Sequence, residues 1–133
     1  MMKKVDHVGL VFKETQKTIS LLSDLFGFEV AEVRAEPDAG FKSTLIAKSD
    51  VALELIEPVG PRGMMQKFVE KRGEGMHHLS IQVADLEEEI DRLRGKGVRF
   101  VSDQPVQVTD STKVIFIHPH STNGLLIELI QRD

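Results

Sequence analysis

The stretch HHLSIQV, residues 77–83, repeats the alternation seen earlier in VDHVGLVF, residues 5–12. In both stretches apolar residues recur at every second position, as is typical of a strand that turns one face toward a core. An amphipathic helical pattern closed by glycine follows each stretch, at residues 14–27 and at residues 84–97. The chain is therefore predicted to contain an internal duplication.

Three further strand-like runs complete each half. They are GFEVAEVRA, FKSTLIAK and VALELIEP in the first half and VRFVS, TKVIFIHP and GLLIELIQ in the second. The duplication predicts an α+β fold in which two tandem βαβββ modules form a curved, cup-shaped mixed sheet with helices on its outer face. We expect one domain over residues 1–133, with module one at 1–58, a linker helix at 59–75 and module two at 76–133.

The same periodicity predicts which side chains pack between the sheet and the helices. The packing should be aliphatic with phenylalanine, because the chain has no tryptophan or tyrosine. The expected core residues are Val8, Leu10, Phe12, Ile19, Leu22, Phe26, Leu79, Ile81, Val83, Leu86, Ile90 and Leu93.

The composition excludes several classes of protein. The formal net charge of −4 argues against a surface that binds nucleic acid. The chain has no cysteine, so disulfides and zinc–cysteine sites are excluded. No apolar run approaches the roughly 20 residues that a membrane-spanning helix needs. Because no apolar signal segment opens the chain either, we expect a cytoplasmic protein.

Four polar residues occupy equivalent places in the two halves. His7 and His78 lie in the first strands, at an offset of 78 − 7 = 71, and Glu54 and Glu128 lie in the last strands, at an offset of 128 − 54 = 74. All four are expected on the side of the sheet opposite the apolar face. Neighbouring strand residues point to opposite faces, so His78 should match His7, while His77 should face elsewhere and make a structural hydrogen bond.

Taken singly, a strand histidine is more often structural than a ligand, and a glutamate between leucines usually marks the wet face of a strand. Taken together, two imidazoles and two carboxylates on one face make a ligand set for a divalent metal with open positions for water or substrate. Cobalt, nickel, zinc, manganese and iron(II) all suit such a set. The second glutamate counts modestly against the oxygen chemistry of a non-haem iron triad.

The sequence resembles the vicinal oxygen chelate superfamily, also called the glyoxalase/bleomycin resistance/dioxygenase superfamily. Within it, the stretches DHVGLVF, GEGMHHLSIQVADL and IFIHPHSTNGLLIELIQ are similar to methylmalonyl-CoA epimerases. The resemblance implies metal ligation by His7, Glu54, His78 and Glu128, with Glu54 and Glu128 also acting in catalysis. It further implies a divalent cofactor, cobalt first and nickel, zinc or manganese as alternatives, an acyl-CoA substrate and a homodimer.

One position departs from that resemblance. Some epimerases carry a second catalytic glutamate on the strand after a glycine turn, and the corresponding residue of AGFKSTL is Ser43. A serine hydroxyl cannot act as a carboxylate base, so the two-faced proton transfer of an epimerase would depend on Glu128 together with Glu54 or a metal-bound water.

Two other functions stay open. A glyoxalase I (lactoylglutathione lyase)-type reaction uses the same pattern of two histidines and two glutamates, and a non-catalytic small-molecule-binding protein could share the fold. Basic residues of the linker could meet coenzyme A phosphates or form a solvated helix face; they are Arg62, Lys67, Lys71 and Arg72. His118 and His120, in the turn HPHSTNG, are expected either in an exposed loop or in contact with substrate.

Overall fold

The computed structural model describes residues 2–133. Its strands are β1 Met2–Val11, β2 Glu29–Glu36, β3 Phe41–Lys48, β4 Val51–Pro58, β5 Gly75–Val83, β6 Val106–Thr109, β7 Thr112–Ile117 and β8 Ile127–Arg132. Its α-helices are α1 Gln16–Phe26, α2 Met64–Arg72 and α3 Leu86–Gly95, and short 3-10 helices span Pro37–Ala39 and Pro119–Thr122. The strands belong to a mixed sheet of eight strands. The predicted α+β class and the repeated β-α-β-β-β order are confirmed.

The chain forms two compact units, one of His7–His77 and the other of Met1–Asp6 with His78–Asp133. In the first, β1 pairs with β4 in parallel, and β4–β3 and β3–β2 are antiparallel. The β2–β3 register shifts between Val30 and Glu32, which marks a bulge in the outermost strand. In the second, β5 pairs with β8 in parallel, and β8–β7 and β7–β6 are antiparallel. The two units therefore repeat one pairing scheme.

The core of the second unit follows the prediction in α3 and at Val83. Along β5 the prediction is partly wrong, because His78, Ser80 and Gln82 are buried whereas Leu79 and Ile81 are only half-buried. Its buried cluster contains Val83, Leu86, Ile90, Ile115, Ile117 and Leu129, with Ile81 and Leu93 packed against it. Helix α3 begins beside this cluster, where the Asp85 side chain accepts a hydrogen bond from the backbone N–H of Glu88. This cap satisfies one of the donors that a helix start leaves without an intrahelical partner.

In the first unit the core prediction is partly wrong. On β1 the buried residues are His7, Gly9 and Val11, whereas Val8, Leu10 and Phe12 are only half-buried. Both faces of β1 are covered, because α2 packs over the face that was expected to be open. The cluster on that face consists of Val11, Ile56 and Val69, with Phe41, Met65 and Phe68 against it.

Helix α1 also differs from the prediction. Among its described residues none is fully buried, and Ile19 and Leu22 are half-buried. Phe26 is 61% exposed, so its assignment to the core is wrong. The reason lies in its position as the last residue of the helix, because the chain leaves the helical path at Gly27, which has a φ of 76°.

The strand predicted around VRFVS, residues 98–102, is also wrong. That segment contributes only an isolated bridge from Phe100 to Ile117, and the strand β6 lies further on, at Val106–Thr109. Phe100 packs against the apolar cluster of the second unit, and the Arg94 guanidinium lies 5.5 Å from the centre of its ring. The apolar residue Phe100 is therefore explained by packing at this one position and not by a strand. Within residues 2–133, no helix is long and apolar enough to cross a membrane.

Candidate metal centre

The strand register of the first unit places three predicted polar residues on one face of its sheet. Glu54 pairs with Gly9 on one side and with Leu45 on the other, and Ser43 lies two residues from Leu45 along β3. Residues directly opposite each other share a face, as do residues two apart in one strand. His7, Glu54 and Ser43 therefore share the face that α2 covers further along.

His7 and Glu54 are in contact on this face. The Nε2 atom of His7 lies 3.5 Å from Oε1 of Glu54, and the two side chains are 6% and 17% exposed. Because both side chains are largely shielded from solvent, little water surrounds them to screen the charge of the carboxylate. The pair can hold a proton between the two groups or offer two donor atoms to a cation.

His78 directly follows this unit along the chain. One ligand atom each from His7, Glu54 and His78 lies within 4.8 Å of the others. Two imidazoles and a carboxylate at this spacing suit a divalent transition metal, whose bonds to nitrogen and oxygen ligands are about 2.0–2.2 Å long. The structure thus brings together three of the four predicted ligands in a geometry that fits such an ion.

The fourth predicted ligand, Glu128, is buried in the second unit. It pairs with Ser80 on β5 and with Phe116 on β7, so these three side chains share a face. The Ser80 hydroxyl donates a hydrogen bond of 2.7 Å to Oε1 of Glu128. The carboxylate is 8% exposed and is thus held by a specific donor rather than by bulk water.

Phe116 also contacts His78 in the second unit. The two rings meet edge to face, with centroids 5.8 Å apart and an interplanar angle of 86°. Such a contact restricts rotation of the imidazole about its χ2 torsion. Ser80 and Phe116 were not singled out in the sequence. The available signal for Ser80 was the strand alternation, which places residues 78 and 80 on the same face of β5.

His77 has different surroundings from its neighbour. Its ring meets that of Phe68 on α2, with centroids 4.8 Å apart and an interplanar angle of 69°. Burial lowers the pKa of His77, the charge of Glu54 opposes that shift, and Arg72 adds to it. A neutral, ring-packed imidazole is the result, in line with a structural role for this residue.

Two other candidate ligands near the motifs have structural partners. Asp6, next to His7 in sequence, accepts two hydrogen bonds from Arg132, at 2.8 Å from Nε and 2.9 Å from Nη2. In the turn after β7, the Nδ1 atom of His118 accepts from the backbone N–H of His120 and so caps the short helix Pro119–Thr122. His118 is half-buried and His120 is exposed.

Known proteins resemble this chain over most of its length. The family model described as the Glyoxalase/Bleomycin resistance protein/Dioxygenase superfamily matches residues 6–116. An ethylmalonyl-CoA/methylmalonyl-CoA epimerase of Cereibacter sphaeroides is 30% identical over 133 residues, which cover 98% of this chain and 99% of that protein.

Solved structures agree with this relationship. The methylmalonyl-CoA epimerase of Mycobacterium tuberculosis superposes with a TM-score of 0.90 at 30% identity, covering 99% of this chain and 89% of that one. A methylmalonyl-CoA epimerase in complex with methylmalonyl-CoA and NH4+ superposes with a TM-score of 0.88 at 28% identity, covering 99% and 96%. The contact between His7 and Glu54, the closeness of their ligand atoms to that of His78 and the family match over residues 6–116 lead to one conclusion: the chain belongs to the glyoxalase/bleomycin resistance/dioxygenase superfamily, also called the vicinal oxygen chelate superfamily.

Proposed function

We propose that this protein is a metal-dependent methylmalonyl-CoA epimerase whose metal is held by His7, Glu54, His78 and Glu128. The observation that carries the proposal is the grouping of ligand atoms from His7, Glu54 and His78 within 4.8 Å. Relatives named as epimerases support an isomerase, and the relative solved with methylmalonyl-CoA supports an acyl-CoA substrate.

The ligand set defines what a bound ion would contribute. A divalent ion held by these residues supplies Lewis acidity, which stabilises the negative charge that develops on the thioester oxygen as the α-proton leaves. Cobalt is the first choice, and nickel, zinc and manganese are alternatives with the same preference for nitrogen and oxygen ligands. His7 and His78 are buried, and each would bind the ion through a ring nitrogen that carries no proton.

Epimerisation breaks the bond between the α-carbon and its hydrogen and remakes it on the opposite face. The proton needs an acceptor on one face and a donor on the other. We assign these two roles to the carboxylates of Glu54 and Glu128, one from each unit. Ser43 shares the sheet face of Glu54 but carries no carboxylate, so no base is assigned to it.

Helix α2 supports a substrate with a phosphate-bearing tail. Lys67, Lys71 and Arg72 are exposed on this helix, and Arg62 is exposed just before it. Their charges could pair with the phosphates of coenzyme A. Binding through them would weaken as ionic strength rises, whereas binding of the acyl group at the buried ligands would be less affected.

The test is exchange of the substrate α-proton. Protein loaded with cobalt is mixed with one epimer of methylmalonyl-CoA in deuterated water, and NMR follows deuterium uptake and formation of the second epimer. We expect both reactions for the natural protein and for His77→Ala, and neither for His78→Ala. His77 is the matched control because it is the same residue type one position away and packs against Phe68.

Absence of exchange with cobalt, nickel, zinc and manganese alike would overturn the epimerase. The same preparations are then tested with the hemithioacetal of methylglyoxal and glutathione. Turnover of that substrate alone would establish the glyoxalase I-type lyase, which uses the same ligand pattern. Metal binding without turnover of either substrate would favour a binding protein of this fold.

We also propose a homodimer. Helix α1 leaves Leu21, Leu25 and Phe26 at 52%, 63% and 61% exposure, and a second copy of the chain would cover such a surface. Sedimentation equilibrium should give twice the mass of 14.9 kDa, and Leu25→Glu should shift the equilibrium toward monomer. A natural protein that sediments as a monomer would contradict the dimer. Cytoplasmic location and the single-domain division of the sequence remain predictions.

A further inference from the structure

Ser80 is a polar residue with no exposure to solvent. A buried hydroxyl is costly unless it finds a hydrogen-bond partner, and here it donates to Oε1 of Glu128 at 2.7 Å. That distance is the usual one for a hydroxyl donor, so the contact is a well-formed hydrogen bond.

The backbone fixes the contact. Ser80 and Glu128 are direct partners in the parallel pairing of β5 with β8, with neighbouring pairs Leu79–Ile127 and Ile81–Leu129 on either side. The two α-carbons are therefore held at the spacing of paired strands, and the serine hydroxyl has only one side-chain torsion to set. The terminal torsion of a glutamate is otherwise broad, so the hydroxyl selects one orientation of the carboxylate.

We propose that Ser80 is a positioning residue for the metal: its hydrogen bond holds the Glu128 carboxylate in the orientation in which it would bind the ion. This inference rests on the proposed metal site. Without the hydroxyl the Glu128 carboxylate would be held less firmly, and it would bind the ion more weakly.

The chemistry of metal sites gives the size of the effect. Hydrogen bonds to a ligating side chain orient it and are worth about 10–100-fold in metal affinity. Ser80→Ala removes the donor without adding volume, while Ser80→Thr keeps a hydroxyl at the same carbon. Thr44→Val removes a buried hydroxyl from β3 on the face opposite Glu54, and so controls for a general effect of hydroxyl loss.

The experiment is a cobalt(II) titration by calorimetry of the full-length natural protein and these three variants, with thermal unfolding of each metal-free protein alongside. We expect Ser80→Ala to bind cobalt about 10–100-fold more weakly, and Ser80→Thr and Thr44→Val to bind like the natural protein.

Equal cobalt affinity in Ser80→Ala would overturn the role of Ser80 and leave the metal site standing. A lower melting temperature of metal-free Ser80→Ala with unchanged affinity would assign the hydroxyl to stability alone and would overturn the inference equally. A natural protein that binds no divalent ion would overturn the metal site and, with it, this inference.

Discussion

The backbone at Gly40 approaches that at Gly63, where the turn before β3 meets the start of α2. A β-carbon added to Gly40 would lie 2.7 Å from the α-carbon of Gly63, and one added to Gly63 would lie 2.9 Å from the α-carbon of Gly40. Gly40 has a φ of 81° and Gly63 a φ of −71°. Alanine at position 40 should therefore be destabilising for two reasons. Its positive φ is unfavourable for a residue with a β-carbon, and that carbon would clash with the backbone of Gly63.

Three variants separate the two contributions. Gly60→Ala carries the dihedral penalty alone, because Gly60 has a φ of 78° and no described heavy atom lies within 4 Å of its added β-carbon. That penalty is about 1 kcal/mol. Gly63→Ala carries the contact alone, at about 1–3 kcal/mol for an overpacked site. Gly40→Ala combines them, so we expect it to lower the free energy of unfolding by about 2–4 kcal/mol.

Urea denaturation followed by circular dichroism measures the free energy of unfolding of all three variants. Their midpoints are compared with one common m-value. The double variant Gly40→Ala/Gly63→Ala should depart from additivity, because the two added carbons face the same gap. If Gly40→Ala were no less stable than Gly60→Ala, the close approach would carry no energy and the reasoning would be refuted.

Three further outcomes are expected. Burial favours the uncharged form of Glu57, but hydrogen bonds from Thr15 and Lys42 outweigh it and lower the pKa of Glu57 below 4.5. The ionised Glu57 therefore stabilises the fold above pH 4.5, and this stabilisation is lost as the pH falls through the lowered pKa. Glu57→Gln should flatten the acid side of a plot of melting temperature against pH. An unchanged slope would contradict this. Leu86→Ala should lower the free energy of unfolding by about 3 kcal/mol, since Leu86 is 0% exposed in the core of the second unit, and a loss below about 1 kcal/mol would contradict the packing. A divalent ion at about 100 times its Kd should add about 2.7 kcal/mol to the free energy of unfolding, a gain that a chelator reverses and that His7→Ala should lack in differential scanning calorimetry.

The sequence predicts helix α3 better than the first strand of either half. In α3 the apolar stripe meets a single partner surface, so Leu86 and Ile90 lie where the helical period places them. In β1 both faces are covered, and a period of two cannot tell which covered face excludes more water. His7 and Val11 are therefore buried beside half-buried Val8.

The candidate site was predictable only as a list of residue types. His7 and His78 occupy equivalent positions in the two halves. A histidine at the same place in two otherwise apolar strands indicated a pair of ligands. The alternation places Ser80 on the face of His78, but a serine there also suits an exposed strand face, so its bond to Glu128 could not be predicted. Only the pairing of β5 with β8 turns Ser80 into a buried partner of that carboxylate.

Strand β2 has a consequence for the behaviour of this protein at high concentration. It is the outermost strand of its unit, and an outer strand offers unpaired N–H and C=O groups that a strand from another molecule could extend. The bulge between Val30 and Glu32 interrupts a straight ladder of such bonds, and Glu29, Arg34 and Glu36 place charges along the strand. Strand-to-strand polymerisation through β2 is thereby opposed by the geometry and charge of the strand itself, although Val33 stands 67% exposed upon it.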